Sequence, residues 1–249
     1  MEDTCEMIKI LYEDNHLLGV EKPVNVPVNA DDSRDTDLLS MAKAYIKEAY
    51  HKPGNVYLGL VHRLDRPVGG AMVFARTSKA ASRLSDMIRR NVMHKTYYAV
   101  LDGIPKQREG ALTDYLTKDS RTNMVSVTDE AHGRRSVLHY RTLAVKGNNA
   151  LVEVQLETGR SHQIRVQFSS RGTPLVHDHR YNPSPGDGQI ALWAVRLAFD
   201  HPVTKQPVVL QSLPPLEGAW ALFEDFYDRE KDIKEEKEKK KIPAGAAVE

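Results

Sequence analysis

Apolar and polar positions alternate along much of the chain, and this period of two predicts an antiparallel sheet with few helices. The clearest case is 94–101, where Tyr97, Ala99 and Leu101 point to one face and Thr96, Tyr98 and Val100 to the other. Similar runs predict further strands at 7–12, 17–20, 71–75, 112–127 (two short strands), 136–145, 150–156, 190–199 and 207–211. A Lys-Gly-Asn-Asn sequence at 146–149 predicts a hairpin between two of them.

Four segments follow helical spacing instead. The first helix should be capped by Asp35 or Thr36 and extend to about residue 49. The second should be capped by Thr77 or Ser78, with arginines in its last turn that suit the helix dipole. A third is expected at 161–170, and a fourth should begin at Pro214 and Pro215 and run through 217–227. Strands and helices together indicate a mixed α+β fold.

The chain reads as one domain followed by a charged tail. We find no internal repeat and no interior linker, so residues 1–228 are assigned to a single folded domain. Residues 229–249 hold a near-repeat of Lys and Glu, which indicates a helical extension or a disordered segment. No apolar run is long enough to span a membrane, and the acidic N-terminus does not resemble a secretory signal.

Cysteine content and charge narrow the functional classes. Cys5 is the one cysteine, so an internal disulfide and a multi-cysteine zinc site are excluded and a cytoplasmic setting is expected. The net charge is only +1, but 60–100 holds eight cationic residues against two acids and 158–181 holds four against one. Clustered positive charge favours a polyanionic partner, although chance clustering on solvated helix faces would look the same.

Asp65 is the first candidate for chemistry. It lies between Arg63 and Arg66, just before Pro67 and a pair of glycines. Nearby positive charge favours the ionised form of a carboxyl group, and an ionised carboxylate at a chain break is a candidate nucleophile. The alternative is an ordinary ion pair in a surface loop, since ion-pair networks also perturb carboxylates.

Two further groups carry candidate side chains. Tyr97 follows Lys95 on a strand, and a glycine turn at 157–165 should project Arg160, His162 and Arg165. Taken singly, these fit a core tyrosine, a structural histidine and solvated arginines. The sequence His-Asp-His at 177–179 offers no third convincing ligand, so no metal site is assigned.

Taken together and in this order, the motifs resemble those of the RluA-like pseudouridine synthases. The resemblance covers about residues 10–215. It rests on Tyr-Glu-Asp-Asn-His-Leu-Leu at 12–18 with Glu-Lys-Pro at 21–23, His-Arg-Leu-Asp at 62–65, Lys-Thr-Tyr at 95–97, Thr-Gly-Arg-Ser-His-Gln-Ile-Arg-Val at 158–166, Gly-Thr-Pro-Leu-Val at 172–176 and Phe-Asp-His-Pro at 199–202.

The resemblance implies both a fold and a set of roles. The fold would be a mixed, largely antiparallel sheet flanked by helices. Asp65 would act on the target uridine, Tyr97 would stack on its base and Arg165 would orient Asp65. Arg63, Arg66, Lys95, Arg160 and His162 would bind RNA. No cofactor, metal, membrane or obligate protein partner is expected, and the RNA would be a tRNA or a ribosomal RNA.

The chain departs from the family pattern at three places. Thr-Ser-Gly after the aspartate is Val-Gly-Gly at 68–70, a histidine after the third motif is Gln167, and a later Leu-His-Ala is Leu-Trp-Ala at 192–194. An N-terminal S4-type RNA-binding domain, common in relatives, is not expected. Two rival functions stay open: a catalytically silent RNA-binding module, and a nucleoside hydrolase or glycosidase, which normally requires a second catalytic carboxylate.

Overall fold

The computed structural model describes residues 8–229, and these form one sheet with helices on both faces. The sheet order is β1-β2-β4-β10-β5-β9-β8-β6-β7, with β11 beside β10 and β3 beside β4. The strands are β1 Lys9–Glu13, β2 Leu17–Lys22, β3 Gly59–Leu60, β4 Gly69–Ala75, β5 His94–Asp102, β6 Glu109–Lys118, β7 Val125–Thr128, β8 Arg134–Lys146, β9 Asn149–Leu156, β10 Leu192–Asp200 and β11 Pro207–Gln211.

Strand pairing confirms the expected mixed, largely antiparallel α+β fold. Strands β4 and β10 run parallel, with Trp193 opposite Gly69 and Ala194 opposite Gly70, while the other paired strands within 8–229 are antiparallel. The hairpin between β8 and β9 turns as predicted, with Gly147 at a φ of 57°. The parallel pair brings the segment after Asp65 to the centre of the sheet.

Helices accompany the sheet within residues 8–229, and their ends differ from some expectations. They include α1 Leu38–Ala49, α2 Ser78–Arg89, α3 Gln163–Ser169 and the 3-10 helix Gly218–Phe223, after which residues 224–229 are α-helical. Thr77 caps α2, as predicted. The predicted cap of α1 is wrong: Asp37 accepts the hydrogen bond from the Ser40 amide, because the side chain of Asp35 is drawn to Arg66.

The other two helical predictions also need correction. The segment expected as a helix at 161–170 begins at Gln163, since His162 has a left-handed backbone with a φ of 51°. The last helix does not start at Pro214 and Pro215. Gly218 has a φ of 54°, which interrupts a helix, and the first turns that follow are 3-10 rather than α.

Alternation along the strands divides the core between the two faces of the sheet. On one face, Leu18, Met72 and Tyr97 pack with α1 and α3. On the other, Leu17 and Val73 pack with α2, and Val100 and Trp193 pack with the 3-10 helix. Along the central strands, packed side chains cover both faces of the sheet. The alternation of β5 therefore decides on which face the ring of Tyr97 lies.

No helix among residues 8–229 is both long enough and apolar enough to cross a bilayer. The charged tail expected at 229–249 lies, except for its first residue, outside the described residues.

Candidate active site

A cleft of about 1030 Å³ lies on the face of the sheet that carries α1 and α3. Its walls come from the loop that carries Asp65, the start of β5, the turn before α3 and the loop around His177. Among residues 8–229 it is lined by two acids, Asp31 and Asp65, and by seven cationic residues: Arg63, Arg66, Lys95, Lys118, Arg160, Arg165 and Arg180. The cleft is therefore strongly positive in a chain whose net charge is only +1.

The loop before β4 presents Asp65 to this cleft. Leu64 and Val68 are buried on either side of it and fix the loop to the core. The amide of Val68 donates to the carbonyl of Asp65 at 3.0 Å, which closes a tight turn. The carboxylate, with 29% of its side chain exposed, is thus held in the cleft by the packing of its neighbours.

Lys22 holds the same loop through hydrogen bonds to backbone carbonyl groups. It has no exposed surface, and its Nζ donates to the carbonyl oxygens of Pro23, Arg66 and Val68 at 2.8, 2.9 and 2.9 Å. Burial lowers the pKa of its amine to about 7, while Asp65 opposes this loss of charge. Three carbonyl acceptors match the three protons of an ammonium and favour the charged form, so we assign Lys22 as an ammonium.

Arg165 reaches Asp65 from α3. Its Nη1 lies 3.2 Å from Asp65 Oδ2, the partner that the resemblance implied. Its Nε and Nη2 donate to the two oxygens of Asp178 at 2.9 and 2.6 Å. Burial alone would lower the pKa of Arg165, but Asp178 and then Asp65 raise it, so the guanidinium stays charged. Asp178 is fully buried and holds the arginine in place.

Tyr97 lies on β5 with its ring on the cleft side of the sheet. It is 8% exposed and lines the cleft with Asp65. Burial, and then the negative charge of Asp65, raises the pKa of its hydroxyl, which is therefore neutral. An aromatic face at the cleft floor beside a carboxylate is suited to holding a flat base.

His162 was predicted to bind RNA, and the structure places its side chain close to Asp65. Its Nε2 is 3.7 Å from Asp65 Oδ2, and only 9% of its side chain is exposed. Its Nδ1 is 2.6 Å from the hydroxyl of Tyr181. Burial lowers the pKa of His162, Asp65 opposes this, and Arg165, Arg180 and Lys118 add to the lowering. The imidazole is therefore neutral at pH 7.

The four other predicted RNA-binding residues line the cleft in different surroundings. Arg63 is exposed, and no hydrogen bond or ion pair joins it to another described residue. Arg66 pairs with Asp35 and lies 3.7 Å from Asp31, so its charge is partly neutralised. Lys95 is half-buried, which lowers its pKa, and Arg160 is exposed at the turn before α3.

The histidines of the His-Asp-His sequence contact different backbone carbonyl groups. His177 Nδ1 contacts the carbonyl of Pro185 at 2.8 Å, and His179 Nε2 contacts that of Gly188 at 3.2 Å. Over the described part of the chain, no group of three His, Cys, Asp or Glu residues is arranged to hold a metal ion.

Sequence reasoning missed three residues that support the site: Lys22, Asp178 and Tyr181. Lys22 belongs to the Glu-Lys-Pro sequence used for the resemblance, but nothing in its spacing indicates that it contacts the loop that carries Asp65. Asp178 was weighed only as a part of a metal site. Tyr181 follows in a Pro/Gly loop whose local sequence predicts no contact.

Comparisons with known proteins find matches over most of the chain. A family model described as RNA pseudouridylate synthase matches residues 16–170. The chain is 33% identical over 217 residues to an uncharacterised RNA pseudouridine synthase of Synechocystis sp., covering 84% of this chain and 65% of the relative. It is 33% identical over 215 residues to ribosomal large subunit pseudouridine synthase D of Zymomonas mobilis, covering 81% and 67%.

A solved structure matches at the level of the fold. Human RNA pseudouridylate synthase domain containing 4 superposes with a TM-score of 0.72 at 20% identity, covering 88% of this chain and 92% of that one. The chain spans about two thirds of the length of the two bacterial relatives.

Proposed function

The chain belongs to the RNA pseudouridylate synthase family, and we propose that it isomerises uridine to pseudouridine in RNA with Asp65 as the catalytic carboxylate. The observation that carries the proposal is the contact between Arg165 Nη1 and Asp65 Oδ2 in a cleft that Tyr97 also lines. It joins three motifs that are far apart in the sequence into one site.

The reaction exchanges one bond of the ribose for another. The bond from C1′ to N1 of the uracil breaks, the base turns, and a bond from C1′ to C5 forms. The proton on C5 is lost and N1 gains a proton, so the product is an isomer of the substrate. Asp65 serves either as a nucleophile on C1′ or as a base on the sugar.

Tyr97 and Arg165 have distinct parts in this reaction. The ring of Tyr97 stacks on the uracil, which must be retained while it turns. Arg165, which Asp178 holds in a fixed position, orients Asp65 through the contact of its Nη1 with Oδ2.

Binding of RNA is supported by the charge of the cleft. Seven cationic residues line it, and Arg63 is exposed beside Asp65 without a partner among residues 8–229. Turning a base out of its stack costs a few kcal/mol, which contacts to the RNA backbone offset. We assign Arg63, Arg66, Lys95 and Arg160 to these contacts, with Arg66 contributing least because of Asp31 and Asp35.

The RNA is a ribosomal RNA or a tRNA, and the setting is the cytoplasm. Ribosomal RNA is supported by the name of the Zymomonas relative, which refers to the large ribosomal subunit. The catalytic domain is assigned to residues 1–228.

The deciding experiment replaces Asp65 with Asn. Asp65→Asn keeps the size of the side chain and removes its charge, so it should abolish pseudouridine formation and leave RNA affinity nearly unchanged. The matched control is Asp32→Asn, because Asp32 is an exposed acid outside the cleft lining. Pseudouridine is mapped in total RNA from cells that carry each variant, and RNA affinity is measured by filter binding.

Two results would contradict the proposal. Wild-type protein that forms no pseudouridine on any cellular RNA, while still binding RNA, would indicate a silent binding module. Release of free uracil in place of pseudouridine would indicate a hydrolase.

A further inference from the structure

Both polar side-chain contacts of Asp65 are made by one of its two carboxylate oxygens. Arg165 Nη1 lies 3.2 Å from Oδ2 and His162 Nε2 lies 3.7 Å from the same atom. Within 8–229, no donor contacts Oδ1. The two oxygens of the carboxylate are therefore not equivalent: Oδ2 contacts two side chains of the protein, and Oδ1 has no partner among the described residues.

The backbone at His162 is held in an uncommon conformation. Its φ of 51° and ψ of 18° lie in the left-handed region, which costs a residue with a side chain on the order of 1 kcal/mol. Gln163 stabilises the turn, because its Oε1 accepts from the Arg160 amide at 3.0 Å and from the Thr158 hydroxyl at 2.9 Å. Such strain persists where the surroundings impose it, and here it directs the imidazole toward Asp65.

The hydroxyl of Tyr181 determines which nitrogen of His162 carries the proton. The backbone N–H of Val125 donates to this hydroxyl at 2.9 Å. The hydroxyl proton then has one acceptor within reach among the described side chains, His162 Nδ1 at 2.6 Å. When the hydroxyl donates to Nδ1, that nitrogen carries no proton, and the neutral imidazole then carries its proton on Nε2. This is the nitrogen that faces Asp65.

Tyr181 also supports the second donor. The guanidinium of Arg165 lies over its ring, 5.1 Å from the centroid, and Asp178, three residues earlier, binds the same guanidinium. The segment 178–181 thus positions both groups that contact Asp65 Oδ2. It does so through two separable features of Tyr181, its ring for Arg165 and its hydroxyl for His162.

We propose that His162 is a positioning residue for Asp65, that the Tyr181 hydroxyl fixes it in the Nε2–H tautomer, and that Asp65 Oδ1 is therefore the reacting oxygen. This inference rests on the proposed function, since it assigns a geometry to the same carboxylate.

The first test is kinetic and uses a matched pair of variants. Tyr181→Phe keeps the ring and removes the hydroxyl, so kcat should fall roughly 10- to 100-fold, as for other residues that orient a reactive group, with KM for the RNA unchanged. His162→Gln should retain most of kcat, because its amide nitrogen can donate from the position of Nε2 without help from Tyr181. In the His162→Gln background, Tyr181→Phe should then cost no further kcat.

The outcomes of this cycle separate the alternatives. An equal loss of kcat from Tyr181→Phe in both backgrounds would overturn the role of His162. A rise in KM with an unchanged kcat in either single variant would show that the residue contacts RNA instead. Thermal unfolding of each variant checks that the fold is kept.

The second test needs no RNA substrate. Nitrogen-15 NMR of labelled histidine distinguishes the two neutral tautomers, and the signal of His162 is assigned by its absence in His162→Gln. The wild type should show a bare Nδ1, and Tyr181→Phe should mix the tautomers or invert them. A protonated Nδ1 in the wild type would refute the inference even if the protein makes pseudouridine. A protein without activity would refute the proposed function. The tautomer of His162 would then still be decided by the NMR spectrum alone.

Discussion

At the scale of single residues, Lys22 supports the loop that carries Asp65 from a position without solvent contact. Its ammonium donates to three carbonyl groups, two of which, those of Arg66 and Val68, belong to the loop itself. A charge this deeply buried is tolerated because each of its protons has an acceptor. Removal of the ammonium would leave those carbonyl groups without a donor and would loosen the turn.

We therefore expect Lys22→Met to damage stability and activity together. The free energy of unfolding should fall by about 3 kcal/mol or more, since each unsatisfied buried polar group costs about 1–3 kcal/mol. The value of kcat should fall as well, because Asp65 is no longer fixed. Urea denaturation and a pseudouridine assay measure the two effects.

Lys9→Met is the control for this change. Lys9 forms one exposed ion pair with Glu21 at 2.9 Å, and such pairs contribute about 0–1 kcal/mol. A Lys22 variant as stable and active as the Lys9 variant would show that the carbonyl contacts are dispensable.

At the scale of elements, α1 shows what local sequence can and cannot determine. Its helical period was evident, and the sequence predicted a cap at Asp35 or Thr36. The ion pair between Asp35 and Arg66, 31 residues away, removes one of them, and the Asp37 side chain takes the Ser40 amide. A contact distant in sequence thus decided the end of a helix.

The cap can be tested by a pair of substitutions. Asp37→Ala should lower the free energy of unfolding by about 1 kcal/mol, which is typical of the loss of an N-cap. Asp35→Ala removes an exposed ion pair and should cost less than about 0.5 kcal/mol. Chemical denaturation of both variants gives the comparison. Equal losses of unfolding free energy, or a larger loss for Asp35→Ala, would show that Asp35 caps the helix.

At the scale of the whole molecule, two departures from the family pattern are in contact. Gly69 on β4 lies opposite Trp193 on β10, and a side chain at 69 would overlap the Trp193 ring. The indole Nε1 donates to Ser212 Oγ at 2.8 Å, so the ring is held in place. The glycine and the tryptophan therefore accommodate each other, at the two positions where the resemblance leads us to expect Ser and His.

The two positions should consequently be coupled. Gly69→Ser alone should cost roughly 1–3 kcal/mol of unfolding free energy through overpacking. Combined with Trp193→His, it should cost less than the sum of the single changes, with a coupling of about 1 kcal/mol in a double-mutant cycle. Gly54→Ser is the control, because nothing lies within 4 Å of a side chain at residue 54. Additive losses would contradict the pairing.

The sequence by itself determined most strands, though not β3, most helices and the three motifs that contain Asp65, Tyr97 and Arg165. Strand period and helical spacing depend on which side chains face the core, so they can be recognised within a short stretch of sequence. The link between Asp65 and Arg165 came from resemblance, since no local pattern relates residues 100 positions apart.

Only the tertiary structure decided what surrounds the carboxylate. Lys22, Asp178 and Tyr181 meet at the site because β2, β4, α3 and the loop after α3 converge on one face of the sheet. None of the three has a distinctive local spacing, and each acts through hydrogen bonds to groups at least 13 residues away. Hydrogen-bond geometry of this kind depends on the packing of distant segments, so the sequence could name the reacting residue but not the side chains that hold it in place.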